Sequence, residues 1–83
     1  MTVYAVVNVG GAGIDFAAGH YNFQPGYYVT DGTVLHSGSP QIFPSLGTSQ
    51  KKIETMIRDG VAAAILSDWS LVIDPDDLIL VGL

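Results

Sequence analysis

Apolar residues recur along this chain with two different periods, and the changes of period divide it into elements. Residues 2–9 are dense in Val and Tyr, which suit an extended backbone, and predict a strand buried on both faces at its middle. Gly10, Gly11 and Gly13 end it. Residues 14–26 are irregular, punctuated by Gly19, Pro25 and Gly26, with room for a short strand over 19–23. The clearest local signal is Asp31-Gly32 between the β-forming runs 27–30 and 33–36. That dipeptide predicts a hairpin with a two-residue type I′ turn. It would pair Thr30 with Thr33, Val29 with Val34, Tyr28 with Leu35 and Tyr27 with His36.

Residues 37–47 hold Gly38, Pro40, Pro44 and Gly47 and predict a crossing loop. A 3.6-residue period then takes over at Ile53, Met56, Ile57, Val61, Ala64 and Ile65, with Thr48 or Ser49 placed to cap. Gly60 sits on this stripe, where it costs about 1 kcal/mol against Ala. Because the stripe keeps its phase across Gly60, the pattern predicts one helix over 49–66, approached closely there by a sheet, rather than a helix end at Asp59-Gly60 followed by a new segment. Residues 71–73 and 78–81 are apolar runs around Asp74-Pro75-Asp76-Asp77 and predict a second hairpin on a type I turn. The resulting expectation is one α+β domain over residues 1–83. A small antiparallel or mixed sheet, two hairpins plus the N-terminal strand, packs against one amphipathic helix.

Composition changes the picture in one respect. In this 83-residue chain 48% of residues are hydrophobic and only 13% charged, without any cysteine. Ordinary soluble domains carry about 25% charged residues. A core this small supplies roughly 3–5 kcal/mol, and neither disulfides nor thiolate zinc sites can add to it. Plentiful apolar surface with scarce charge points to a face covered in an assembly, because interface cores are depleted in charge. The net charge of −5 is unevenly spread: Lys51, Lys52 and Arg58 are the only cations. Wrapping nucleic acid, which needs many cations, is excluded. No apolar run approaches the length of a membrane span, and no basic leader precedes an apolar stretch, so a cytoplasmic location, with or without an assembly, is expected.

Candidate chemistry is sparse. Gly11 and Gly13 follow a strand, but Phe16 stands where a dinucleotide fingerprint needs its third glycine. Asp74, Asp76 and Asp77 lack EF-hand spacing, and turn chemistry already accounts for them. His20 and His36 have no third ligand and suit stacking or hydrogen bonding within the hairpins. The serines have no nucleophile elbow, and so short a chain has little room to enclose a substrate. No catalytic, cofactor or metal site is expected.

Partner binding is expected at Tyr27, Tyr28, Lys51, Lys52, Arg58 and Leu83. Adjacent strand residues face opposite ways, so one of Tyr27 and Tyr28 is exposed or covered by another chain. Lys51 and Arg58 lie seven apart on one helix face, in reach of an acidic partner, although Glu54 can pair with Arg58 at i, i+4. The uncharged end 78–83 needs either a central place in its sheet or a cover.

The start Met1, Thr2, Val3, Tyr4, the glycine-rich loop 9–13, the few charges and the apolar end at Val81, Gly82 and Leu83 together give the chain a texture. In that texture it resembles the small accessory proteins of tailed-bacteriophage virions, those of capsid decoration, neck, tail or baseplate. The resemblance is one of texture and transfers no residue's role. It implies a non-enzymatic subunit, homo-oligomeric or bound to a larger structural protein. The competing expectation is a small acidic module that engages a basic partner through its Asp-rich turns.

Overall fold

The computed structural model describes residues 4–10, 12–30 and 32–82. It is an α+β fold with one helix against a four-stranded mixed sheet, and a two-stranded sheet beside them. The strands are β1 (Tyr4–Asn8), β2 (Gly13–Asp15), β3 (His20–Asn22), β4 (Gly26–Thr30), β5 (Leu35–Gly38) and β6 (Ile79–Val81). The helix α1 spans Gln50–Trp69. The larger sheet has the order β5-β4-β1-β6, antiparallel except for the parallel pair β1–β6.

Strand alternation decides which residues meet the helix. Ala5, Val7 and Val9 share a face with Tyr27 and Val29, and α1 lays Ile53, Ile57, Val61 and Ile65 in the same core. All nine are buried. Burying an aliphatic side chain of this kind gains about 1.5–3 kcal/mol over leaving it exposed, which offsets the entropy of ordering the sheet and helix. Ser49 caps α1 by accepting from the Lys52 N–H at 3.3 Å. The helix runs unbroken through Gly60 and past the predicted end at Leu66 by three residues, to Trp69. Ser70 closes it in the left-handed conformation (φ 57°), its N–H donating to the Leu66 carbonyl.

Two close approaches depend on glycine. A Cβ at Gly60 would lie 2.9 Å from Ile42 Cδ1, so the neighbour that explains this glycine is the 39–49 loop rather than the sheet. A Cβ at Gly38 would lie 2.6 Å from the Tyr27 ring, which lies across β5 at that point.

The second contact explains a corrected register. The hairpin β4–β5 exists, but Thr30 pairs with Leu35, Val29 with His36, Tyr28 with Ser37 and Tyr27 with Gly38. The pairing has slipped by two residues from the predicted one and the loop has four residues, Asp31 lying outside the described residues. A slip of two preserves every side chain's face. It exchanges His36 for Gly38 opposite Tyr27, the one neighbour that leaves room for the ring. Gly32, at φ 97°, donates its N–H to Thr30 Oγ1 within this loop.

The C-terminal expectation is also corrected. Residues 71–73 form no strand, and Pro75–Asp77 is a 3-10 turn capped by the Asp74 side chain, which accepts from the Asp76 N–H at 2.9 Å. β6 instead pairs parallel with β1 at the edge of the sheet. α1 with its flanking loops carries the chain from β5, at one edge of the sheet, to β6 at the other. Arg58 fixes the return: its guanidinium donates to the Pro75 and Leu78 carbonyls at 3.2 and 2.6 Å. The second hairpin is β2–β3, of which the pattern predicted only β3. Ile42 and Ser45 extend this small sheet through bridges to Phe23 and His20, so the crossing loop is partly strand-like. Val6 is half-buried, so the middle of β1 is covered on its helix side and only partly on the other.

Candidate functional site

The titratable side chains nearest the core serve packing. The Tyr27 hydroxyl donates to Asp68 Oδ2 at 3.2 Å and accepts from the Trp69 indole N–H at 2.8 Å. Trp69 in turn stacks on His36, with ring centroids 4.3 Å apart. This cluster pins the last turn of α1 to β4 and β5. Burial pushes the Tyr27 phenol above its ordinary value; the Trp69 bond works against this and Asp68 adds to it. Asp68, unfavourable at a helix C-terminus, is explained by this bond.

Arg58 is similarly engaged, pairing with Glu54 at 3.2 Å besides its two carbonyls. The structure therefore separates the predicted basic face. Lys51 and Lys52 are exposed, while Arg58 is half-buried and turned to the C-terminal segment. His20 packs on Phe43, centroids 5.0 Å apart. Among the described residues no three His, Asp or Glu side chains group as a metal site, and no helix is long and apolar enough to cross a membrane.

What remains is the face of the larger sheet turned away from α1. The register puts Ser37, Tyr28, Val6 and Ile79 in one row across all four strands. Leu35 stands beside Thr30 on one side of that row, and Gly26, Asn8 and Val81 form the next row on the other. Tyr28 is 55% exposed, Leu35 65%, Ile79 42% and Val81 50%. None of the residues of β1, β4, β5 and β6 is Asp, Glu, Lys or Arg. A sheet with one solvated face ordinarily alternates apolar with polar residues, and its edges ordinarily carry charge, often Lys. This one has no edge charge, and its outer face mixes Ser37, Thr30 and Asn8 with apolar residues but carries no charged group.

An open depression of about 560 Å3 lies at one end of the larger sheet, lined by Asn8, Gly26, Tyr28 and Ser37 of the outer face, by Val9, Tyr27 and Gly38 of the helix side, and by Gly10, Gln24 and Ser39. The volume is that of a ligand pocket, more than the sequence led one to expect, but the depression is open to solvent. A Cβ at Gly26 would meet nothing within 4 Å, so the missing side chain leaves real space there. Its lining carries no carboxylate, histidine, lysine or arginine. A second apolar patch surrounds the β2–β3 turn and the loop beside it, where Phe16 is 81% exposed, Ile14 52% and Phe43 47%.

Of the residues expected to bind a partner, Tyr28 lies on the open face and Tyr27 is the buried member of the pair, 1% exposed. Lys51 and Lys52 are at the start of α1. Leu83 lies outside the described residues. Sequence reasoning missed Val6, Leu35, Ile79, Val81 and Gly26 as parts of one surface. The signal was present in the absence of charge from every strand of the sheet, but using it required the register. No family model, no curated protein and no solved structure matches the chain.

Proposed function

We propose that the protein is a non-enzymatic assembly subunit that docks on other protein through the outer face of its four-stranded sheet. Its texture suggests a bacteriophage particle as the setting, with a larger structural protein as the body it joins. The observation that carries this reading is the uncharged outer face, where Tyr28, Leu35, Ile79 and Val81 stay exposed although α1 already covers the opposite face. Single exposed apolar residues are unremarkable. A contiguous set on one sheet face, unrelieved by any charge, matches the composition of an interface core. The separate patch at Phe16, Ile14 and Phe43 gives the molecule a second place to contact a neighbour, which a subunit of a larger body requires.

The test is the native size of the protein in its source. Fractionation of an extract by sedimentation, with detection by antibody, should find the chain in a particle many times its own 8.8 kDa mass. Recovery only as a free chain or a small oligomer would refute the reading.

A further inference from the structure

We propose that the depression at the end of the larger sheet is a binding site for a neutral saccharide. It shares only Tyr28 with the residues that carry the docking reading, and the two are tested separately.

Nothing in the chain's own packing explains Gly26. Its φ lies outside the left-handed range that favours glycine, and a Cβ there would meet nothing within 4 Å. A glycine weakens a strand, and it often marks a place where a ligand comes close to the backbone. The register defines what surrounds the gap. Gln24 and Tyr28 lie two residues to either side of Gly26 along the chain, and Asn8 is its partner on β1. Ser39 follows Gly38, the partner of Tyr27, and so stands on the β5 side of Gly26. These four line the depression together with Ser37, the partner of Tyr28. Val9, Tyr27 and Gly38 of the helix side complete the lining and bring no charge to it. No side-chain group of Asn8, Gln24, Tyr28, Ser37 or Ser39 hydrogen-bonds to another described residue, so the fold itself uses none of them.

The chemistry of this lining selects the ligand. A phosphate, carboxylate or ammonium group finds no opposite charge here, and the net charge of −5 opposes anions further. An apolar ligand would cover the amides and hydroxyls without replacing their bonds to water, at the desolvation cost of each group. A saccharide suits both parts of the site. Its hydroxyls donate and accept, as do the amides of Asn8 and Gln24 and the hydroxyls of Ser37 and Ser39. The C–H face of a pyranose ring packs on the Tyr28 ring, which is 55% exposed and carries a negative π-face. A nucleobase could use the same stack, but the phosphate of a nucleotide would meet no cation. The volume falls within the range of small-molecule sites, about 300–1,000 Å3. Because the depression is open to solvent, the bound unit can continue into a longer glycan. A single sugar in so open a site binds weakly, with Kd on the order of 1 mM.

The experiment is a nuclear magnetic resonance titration of the isotope-labelled chain. The probes are the methyl glycosides of glucose, galactose, mannose and N-acetylglucosamine, each to about 50 mM, beside glucuronate and adenosine. At least one glycoside should saturably shift the backbone amides of Gly26, Tyr28, Ser37 and Ser39 and the side-chain amides of Asn8 and Gln24. Gly26→Thr fills the recess, and Tyr28→Ala removes the stacking ring. Each should weaken binding by about tenfold or more with its melting transition kept, and Lys51→Glu should leave binding unchanged. If Gly26→Thr fails to fold, Tyr28→Ala still decides the matter, because that side chain is exposed.

The absence of a saturable shift with all four glycosides overturns the proposal. So does binding that the folded Gly26→Thr and Tyr28→Ala variants leave intact, because the sugar then sits elsewhere. Tighter binding of adenosine or glucuronate than of every glycoside also overturns it, by assigning the recess to another class of ligand. None of these results touches the docking reading, which is judged by the native particle size. A chain that binds a glycoside yet is recovered free would lose the larger assembly and keep the site.

Discussion

The contact between Gly60 and Ile42 can be tested quantitatively, because two opposing effects of known size meet there. Replacing Gly60 by Ala gains about 1 kcal/mol of helix propensity. The new Cβ, however, falls 2.9 Å from Ile42 Cδ1 and 3.2 Å from Cγ1, against an optimum of about 3.5–4.0 Å between carbons. Overpacking a buried site costs about 1–3 kcal/mol, and Ile42 is buried. Gly60→Ala should therefore lose about 1 kcal/mol net, or roughly 4–8 °C in Tm for a domain of this size. Ile42→Val removes the Cδ1 atom and alone costs about 0.5–1.5 kcal/mol. In that background the alanine should turn neutral or stabilising. The four proteins of this cycle, unfolded in urea and followed by circular dichroism, should give a coupling of about 1–2 kcal/mol. Additivity within about 0.3–0.5 kcal/mol would mean the two residues do not meet, and the placement of the 39–49 loop against α1 would be wrong.

The remaining predictions concern the sheet and the ends of the helix. Gly38→Ala places a carbon 2.6 Å from the rigid Tyr27 ring and should cost at least about 2 kcal/mol by urea denaturation; a loss under about 0.5 kcal/mol would contradict the register of β4–β5. Tyr27→Phe leaves Asp68 and the Trp69 N–H without their shared partner and should cost about 1 kcal/mol. The folded Tyr27 holds its proton to higher pH than the unfolded chain does, so its contribution is complete below pH 10.0 and declines as pH rises above it. Tyr27→Phe should flatten that alkaline decline in a series of melts, and an unchanged slope would argue against burial of the phenol. Lys52→Glu converts Ser49 and position 52 into a capping box and reverses an unfavourable charge in the first turn, which should add about 0.5–1 kcal/mol to the isolated chain.

The helix was legible because one physical cause governs it. The stripe from Ile53 to Ile65 needs only one face to bury, and Ser49 marks its start. Its true end was not legible, since the last turn is held by tertiary contacts from Trp69 and Asp68 to Tyr27 rather than by propensity. The β4–β5 hairpin was legible as an element, but its register was not. Asp31-Gly32 favours the shortest turn locally, whereas the Tyr27 ring selects Gly38 from the other side of the strand, a choice made by packing. The C-terminal run misled for a related reason. Two apolar runs around a turn suggest a hairpin, and only the grip of Arg58 on the Pro75 and Leu78 carbonyls turns the chain into a parallel strand beside β1. For the site, Tyr28 was legible from the alternation of adjacent tyrosines. Its neighbours Val6, Leu35 and Ile79 come from three other strands and meet it only once the strand order is known.

Solvent access at individual methyl groups is the most direct measure of whether the outer face is meant to be covered. With a soluble paramagnetic agent added, the methyl signals of Val6, Leu35, Ile79 and Val81 should become protected together once the chain is bound in its native particle, while those of Leu66 and Val72, exposed elsewhere, keep broadening. Protection that never develops at the four sheet residues, or that develops first at Leu66 and Val72, would contradict the account.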